Sequence, residues 1–147
     1  METESRYAAF VGRASAPVTY DVERGHIRRF VEAVGDDNPI YVDEAAARAA
    51  GFTAIPAPPT FATALRPRDP RDGIEIDWRK LLHGEQEFSF RRPILAGDRV
   101  TVVQRIAEAT VKHARSGELD LMVLITTGTD ARGEELFTAR SVVVIRR

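Results

Sequence analysis

The residues best suited to chemistry lie in one short loop, Gly35-Asp36-Asp37-Asn38-Pro39, which Tyr41 follows closely. Asp36 offers a carboxylate that can move a proton or hold a water molecule, as general acid–base catalysis requires. Tyr41 is a weaker candidate, since a phenol with an ordinary pKa of about 10 is a poor base at neutral pH. An aspartate in such a turn-forming stretch also suits a cap or turn, so a site role and a structural role for Asp36 both stand.

Three histidines are the other candidates for acid–base work, because imidazole titrates near neutral pH. We interpret His26, near the apolar face of a predicted helix, as structural, and His113, near a turn, as solvated. His83, just before a predicted strand, is the one histidine considered as a substitute base, although a structural role is favoured there too. The chain has no cysteine and no metal-ligand spacing, so we predict neither a metal site nor a cofactor.

The composition is that of an ordinary soluble domain. The 147 residues fit one domain over the whole chain, 1–147. Balanced charges, 21 basic against 22 acidic side chains, give no general attraction for nucleic acid or an anionic membrane. No stretch approaches the roughly 20 apolar residues that span a bilayer, and the N-terminus does not resemble a secretory signal. We therefore expect a cytoplasmic protein that binds neither nucleic acid nor membrane.

The first half of the chain predicts one short strand and three helices, separated by turn-forming and proline-rich stretches. The strand is expected at 18–21, and the helices at 22–34, 44–50 and 59–65. Asp21 and Asp43 are the predicted N-caps of the first two helices, because an aspartate carboxylate can accept a free backbone N–H of the first turn. Pro59 or Thr60 opens the third helix, since proline fits the first helical position.

The second half is dominated by alternation with a period of two residues, which is typical of strands. Four long strands are predicted, and their alternating apolar residues are Phe88 and Phe90; Val100, Val102 and Ile106; Leu119, Leu121, Val123 and Ile125; and Phe137, Ala139, Val143 and Ile145. Helices followed by strands indicate an α+β class with an antiparallel sheet that has one face to cover. The apolar third helix is the predicted cover.

The loop at 35–43 resembles the signature loop of MaoC-like (R)-specific hydratases and dehydratases, which reads Gly-Asp-x-Asn-Pro-aliphatic-His-x-Asp. Only Tyr41, at the histidine, departs from it. Further similar segments follow in order at 49–52, 55–61, 83–88 and 92–98. The chain looks most like the N-terminal half of two-module dehydratases and the stand-alone actinobacterial subunits of heterodimeric (3R)-hydroxyacyl dehydratases. The resemblance implies a hot-dog fold, an antiparallel sheet wrapped around a central helix.

The same resemblance implies reversible addition or loss of water at C2–C3 of an acyl-CoA or acyl-carrier-protein thioester. In active members, the aspartate and histidine of the loop move the proton and hold the water, and a glycine N–H at the start of the central helix polarises the thioester carbonyl. Here Asp36 matches the aspartate, but Tyr41 replaces the histidine. Pro59 stands at the donor glycine and has no N–H, so only Thr60 could supply an amide, one residue later.

These matches give three catalytic candidates, Asp36, Tyr41 and His83, and four substrate-binding candidates, Asn38, Pro59, Thr60 and Phe61. The first hypothesis is a dehydratase subunit that needs a histidine-bearing hot-dog partner. The second is a self-sufficient homodimeric hydratase using Asp36 with Tyr41 or His83, and the third is a non-catalytic acyl-thioester-binding protein. A homo- or heteromeric dimer is expected, because a lone curved sheet leaves strand edges exposed.

Five arginines lie in the loop after the third helix and at the end of the next strand. They are Arg66, Arg68, Arg71, Arg91 and Arg92. Guanidinium groups bind phosphates well, so these residues could hold coenzyme A or an acidic carrier protein. Alternatively, these arginines are only solvent-exposed charges on a loop and a strand end, and the sequence favours neither role over the other.

Overall fold

The computed structural model describes residues 4–147, which form one five-stranded antiparallel sheet in the order β1-β3-β4-β5-β2. The strands are β1 (Val18–Asp21), β2 (Leu81–Phe90), β3 (Arg99–Ala114), β4 (Gly117–Thr129) and β5 (Glu135–Arg146). The predicted α+β class and the predicted early strand are confirmed. β2 lies at one end of the sheet order, so one of its two edges has no strand beside it.

Two α-helices and four 3-10 helices complete the described chain. They are α1 (Arg24–Val34), α2 (Glu44–Ala49) and the 3-10 helices Ala8–Phe10, Pro39–Tyr41, Pro59–Ala64 and Trp78–Lys80. The predicted cap of α2 is confirmed, since the Asp43 carboxylate accepts the N–H of Ala45 at 2.8 Å. The predicted cap of α1 is wrong, because Asp21 pairs with Arg99 in the β1–β3 ladder and stays extended. No helix of residues 4–147 is long and apolar enough to cross a membrane.

The helices cover one face of the sheet, called here the inner face. Ile27 and Val31 of α1 are buried against it, and so is Phe61 of the third predicted helix, which is a 3-10 helix. The ring of Phe61 packs edge-on against those of His26 and Phe30, with centroids 4.9 and 5.6 Å apart. The cover is therefore shared between α1 and the Pro59–Ala64 helix, rather than formed by the latter alone.

The apolar alternation predicted for β4 does not mark its buried face. Leu124 stands opposite Ile106 of β3, and Met122 stands opposite Val143 of β5, all on the inner face. The predicted set, Leu119, Leu121, Val123 and Ile125, therefore lies on the opposite, outer face. Residues 121–125 are all apolar, so alternation cannot choose which set faces the core.

Two apolar clusters occupy the inner face. The helix-side cluster lies under α1 and the Pro59–Ala64 helix and includes Val102, Phe61 and Phe137. The terminal-side cluster is covered by the N-terminal segment and the loop before β2; its buried members are Tyr7, Ile74, Ile76, Ile106, Met122, Leu124, Val143 and Ile145. The inner face is thus covered at both ends by different parts of the chain.

Candidate active site and inner-face cavity

The signature loop is organised by side-chain hydrogen bonds to its own backbone. Gly35 ends α1 in the left-handed conformation, with φ of 75°, which glycine adopts without strain. The Asp36 carboxylate then accepts the Asn38 N–H at 3.0 Å, and the Asn38 side chain accepts the Ile40 N–H at 3.2 Å. Asn38 therefore ties the loop together through its side chain. Its role in substrate binding remains a prediction.

Asp36 and Tyr41 are brought together by this loop. Burial raises the pKa of the Tyr41 phenol above its ordinary value, and the negative charge of Asp36 raises it further. The phenol therefore stays protonated at neutral pH and can donate a hydrogen bond but cannot serve as a base. Tyr41 also packs against the helix-side cluster and lines a small cleft of about 220 Å³ beside Arg24 and Arg28.

The start of the Pro59–Ala64 helix matches the sequence expectation. Pro59 occupies the first turn and has no N–H to offer. The next residue, Thr60, is exposed, and within residues 4–147 its N–H donates no hydrogen bond. Phe61 points away from solvent with 0% exposure and belongs to the helix-side cluster. The structure therefore leaves Thr60 accessible and places Phe61 in the core.

A cavity of about 240 Å³, called here the inner-face cavity, lies between the end of this helix and the sheet. Its lining residues are Ala62, Thr63, Leu65, Pro67, His83, Gln86, Phe88, Gln104, Thr126, Phe137, Ala139 and Ser141. His83 Nε2 lies 2.9 Å from the backbone oxygen of Glu85. Neither Asp36 nor Tyr41 contributes to this lining, so the structure does not gather the three catalytic candidates into one site.

Four polar residues of the inner-face cavity were not singled out from the sequence: Gln86, Gln104, Thr126 and Ser141. The available signal was a polar residue interrupting an apolar alternation, as Gln104 does between Val102 and Ile106. Ser141 interrupts the alternation of β5 in the same way. These polar residues indicate a shared site only once the strand register shows that they lie close together.

Most of the candidate phosphate-binding arginines are paired with carboxylates. Asp69 holds Arg71 by two hydrogen bonds of 2.8 Å, Asp98 holds Arg92 at 2.8 and 3.0 Å, and Glu135 lies 3.4 Å from Arg91. In the described part of the chain, Arg66 and Arg68 have no such partner. Arg68 lines a larger cavity of about 570 Å³ with Arg13 and Trp78, to which none of the catalytic candidates contributes. Phosphate binding stays a prediction for these residues.

Comparison with known proteins identifies the class. Residues 9–139 match the family described as FAS1-like, dehydratase domain region, and the chain belongs to this family. A UPF0336 protein of Streptomyces griseus is 41% identical over 146 residues, which cover 94% of this chain and 93% of the relative. The family assignment confirms the resemblance drawn from the signature loop.

Solved structures confirm the hot-dog fold. A MaoC-like dehydratase superposes with a TM-score of 0.80 and 29% identity, over 94% of this chain and 42% of that chain. The C-terminally truncated HadBC (3R-hydroxyacyl-ACP dehydratase) complex of Mycobacterium tuberculosis gives 0.78 and 29%, over 92% of this chain and 96% of that one. The architecture is therefore that of the MaoC-like hydratases and dehydratases.

Proposed function

We propose that this chain is a subunit of a (3R)-hydroxyacyl-thioester dehydratase, or enoyl-thioester hydratase, that acts with a hot-dog partner bearing the catalytic histidine. One observation carries the proposal: the fold, the loop and Asp36 are retained, while the other two reactive groups of the family pattern, the histidine and the donor glycine, are replaced. Tyr41, with its raised pKa, cannot act as a base at neutral pH, and Pro59 cannot donate a hydrogen bond. A partner must then supply both functions.

The reaction needs few groups but needs them together. Dehydration removes a proton from C2 and the hydroxyl from C3, and the two leave as water. A base must lie within hydrogen-bond reach of that proton, and a donor must stabilise the negative charge that develops on the thioester oxygen. In the proposed complex this chain contributes the inner-face cavity, which holds the substrate chain while the partner performs the proton transfer.

The free edge of β2 is the proposed site of the partner. Leu82 on this strand is 51% exposed, and His83, Gln86 and Phe88 of the same strand line the inner-face cavity. A chain that pairs with this edge would therefore border the cavity as well. Unpaired strand edges are ready-made templates for such pairing.

In a pairing centred on Gln86, charge on the β2 edge disfavours a second copy. Two copies pairing antiparallel about a two-fold axis at Gln86 would place Glu85 of one copy opposite Glu87 of the other, twice. Like charges directly opposite each other destabilise a strand pair. Arg140 binds Glu85 at 3.0 Å and stands opposite Glu87 in the β2–β5 register, but among the described residues no cationic side chain lies within ion-pair distance of Glu87. A structural relative, the HadBC (3R)-hydroxyacyl-ACP dehydratase of Mycobacterium tuberculosis, is named as a complex.

The self-sufficient hydratase is less compatible with the geometry. It requires Asp36 to work with Tyr41 or with His83. Tyr41 is protonated at neutral pH, and His83 lines a cavity to which Asp36 does not contribute. Asp36 alone would have to carry out both proton transfers.

Hydration of a short trans-2-enoyl-CoA, followed by the loss of enoyl absorbance, tests the proposal. The purified chain is assayed alone and with a hot-dog protein from the same organism that carries an intact Gly-Asp-x-Asn-Pro-x-His loop. We expect turnover only in the mixture. Turnover by the chain alone that Asp36→Asn abolishes would establish the self-sufficient hydratase instead. Thioester binding without turnover, alone and with every such partner, would establish a binding protein.

A repair experiment examines the two replaced groups directly. Tyr41→His introduces a base, and Pro59→Gly introduces a donor N–H. We expect measurable turnover by the chain alone only when both substitutions are present, because each single variant still lacks one group. Tyr41→Phe with Pro59→Gly is the matched control, since it changes the same positions without adding a base. Equal turnover in this control and in the double variant would contradict the assigned roles.

A further inference from the structure

The two apolar clusters of the inner face are separated by a belt of polar side chains. Val102 and Ile106 flank Gln104 on β3, and all three project from the same face of the strand. The β4 neighbour of Gln104 in the register is Thr126, and the next row along the sheet contains Ser141 of β5 opposite Gln86 of β2. The polar belt, Gln86, Gln104, Thr126 and Ser141, therefore runs across four strands.

The belt is internally bonded only in part. Gln104 Nε2 donates to Thr126 Oγ1 at 2.9 Å, and Ser141 Oγ donates to Gln86 Oε1 at 2.7 Å. Within residues 4–147 these side chains make no other hydrogen bonds, which leaves the Thr126 hydroxyl proton, the Gln104 carbonyl oxygen and the Gln86 amide hydrogens available. All four side chains line the inner-face cavity. The cavity floor thus offers both donors and acceptors.

Solvent exposure at a sheet edge explains only one end of this belt, where Gln86 is exposed on β2. Gln104 and Thr126 lie on β3 and β4, which are interior strands of the sheet, and Thr126 is only 7% exposed. The neighbouring rows are filled by apolar side chains, and burying a polar group costs free energy unless a partner satisfies it. The opposite wall of the cavity, formed by Ala62, Thr63, Leu65 and Pro67, is mainly apolar. A polar floor under an apolar wall suits a narrow chain that carries hydrogen-bonding groups.

We infer that the polar belt is a specificity site that recognises an amide or hydroxyl group on the substrate chain, away from the reacting carbons. This inference rests on the proposed function. Two sources supply the same chemistry: the amides of the pantetheine arm of the carrier, and an oxygen on the acyl chain itself. A plain hydrocarbon chain would leave the free groups of the belt without partners, so it binds less tightly than an oxygen-bearing chain.

Saturated thioesters test this without turnover, because they have no double bond to hydrate. Three probes are titrated calorimetrically into the full-length chain: hexanoyl pantetheine, the hexanoyl thioester of an alkanethiol of matched length, and the terminally hydroxylated hexanoyl thioester of the same alkanethiol. The first differs from the second only in the amide-bearing arm, and the third only in the acyl hydroxyl. A preference for the first assigns the belt to the carrier arm, and a preference for the third assigns it to the acyl chain.

Thr126→Val and Gln104→Leu remove hydrogen-bonding groups of the belt and keep nearly the same volume. We expect each to weaken binding of the preferred oxygen-bearing probe about tenfold, as one lost hydrogen bond would, and to leave the amide-free, hydroxyl-free probe unchanged. Thr127→Val is the matched control, because the next residue of β4 points to the outer face, opposite Val103 and Thr138. Thr127→Val should leave the affinity for all three probes unchanged. Its thermal unfolding shows how much a threonine-to-valine substitution alone changes the stability of this part of β4.

The outcomes separate this inference from the function on which it rests. Equal affinity for all three probes, or equal weakening of all three in the belt variants, overturns the belt as a specificity site and leaves the proposed function intact. Failure of the chain to bind any thioester, alone or with a histidine-bearing partner, together with no turnover in that mixture, overturns both. A belt variant that no longer unfolds cooperatively is replaced by Ser141→Ala, which removes one hydroxyl from the same floor.

Discussion

The two ends of the inner face are held together in different ways. The helix-side cluster is closed by apolar packing, with Phe61 and Phe137 both at 0% exposure. At the terminal-side end, Asp120, only 1% exposed, accepts a hydrogen bond from Ser5 at 2.7 Å and binds Arg147 at 3.0 Å. The helix-side end therefore depends on apolar packing, whereas the terminal-side end depends on apolar packing and, in addition, on a buried carboxylate.

This contrast has a physical reason. The helix-side end is covered by α1 and the Pro59–Ala64 helix, which bring enough apolar surface to stabilise it by burial. The other end is covered by the N-terminal segment, which includes the 3-10 helix Ala8–Phe10, and by the loop before β2. Apolar packing there is joined by a buried ion pair between Asp120 and Arg147. Buried ion pairs are costly to break because removing one partner leaves the other charge unpaired.

The largest expected effect comes from emptying the helix-side cluster. Phe61→Ala removes a fully buried ring that contacts His26 and Phe30. We expect a loss of about 3–5 kcal/mol in the free energy of unfolding, measured by urea titration, since the cavity left behind adds to the lost burial. The loss should be the same at neutral and mildly acidic pH. A pH-dependent loss would contradict the purely apolar character of this end.

The next largest loss in the free energy of unfolding should come from Asp120→Asn at the terminal-side end. We expect it to be about 3 kcal/mol at neutral pH. Burial alone would raise the pKa of Asp120, but hydrogen bonds from Arg147 and Ser5, with the Arg147 charge, lower it below the ordinary value. A lowered folded-state pKa contributes stability that is present above the unfolded-state pKa of about 4 and is lost as pH falls through the folded-state value. The difference in the free energy of unfolding between wild type and Asp120→Asn should therefore shrink as the pH falls below about 4. A constant difference across this range would contradict the role of the charge.

A smaller loss is expected from overpacking the helix-side cluster. A Cβ atom at Gly128 would approach Cε1 of Phe137 to within 2.2 Å, and Phe137 is buried. Gly128→Ala should therefore lower the free energy of unfolding by about 2 kcal/mol, measured by thermal or urea unfolding, because the Phe137 ring has to move. Combining it with Phe137→Leu, which makes room, should cost less than the sum of the two single losses. Strict additivity would show that the ring is not the obstacle.

The smallest effect should follow from Asp43→Ala, which removes the cap of α2. The Asp43 carboxylate accepts the Ala45 N–H at 2.8 Å and is exposed at the end of the signature loop. We expect Asp43→Ala to lower the free energy of unfolding, measured by urea titration, by about 1 kcal/mol. Asp43→Asn should change it little, because asparagine can still cap the helix. Equal losses in the two variants would indicate that the charge rather than the hydrogen bond matters.

Much of this protein could be predicted from local sequence. The strand at Val18–Asp21, the Asp43 cap, the separation of helices from strands and the signature loop all depend on residues close together in the chain. Tyr41 and Pro59 were recognisable for the same reason, because a phenol and an imide nitrogen bring their own chemistry wherever they stand. The start of α1 was misplaced because strand pairing with Arg99, distant in sequence, keeps Asp21 extended.

Other properties were decided by the tertiary structure alone. The apolar run of β4 fits either face, and only its neighbours Ile106 and Val143 settle that Met122 and Leu124 point inward. The polar belt exists because the register aligns single interruptions on four separate strands, which no local pattern can reveal. The sequence by itself determined the fold class and the replacement of the signature histidine by Tyr41. Long-range strand pairing decided which face is buried and which side chains share a cavity, because both depend on contacts between residues far apart in the chain.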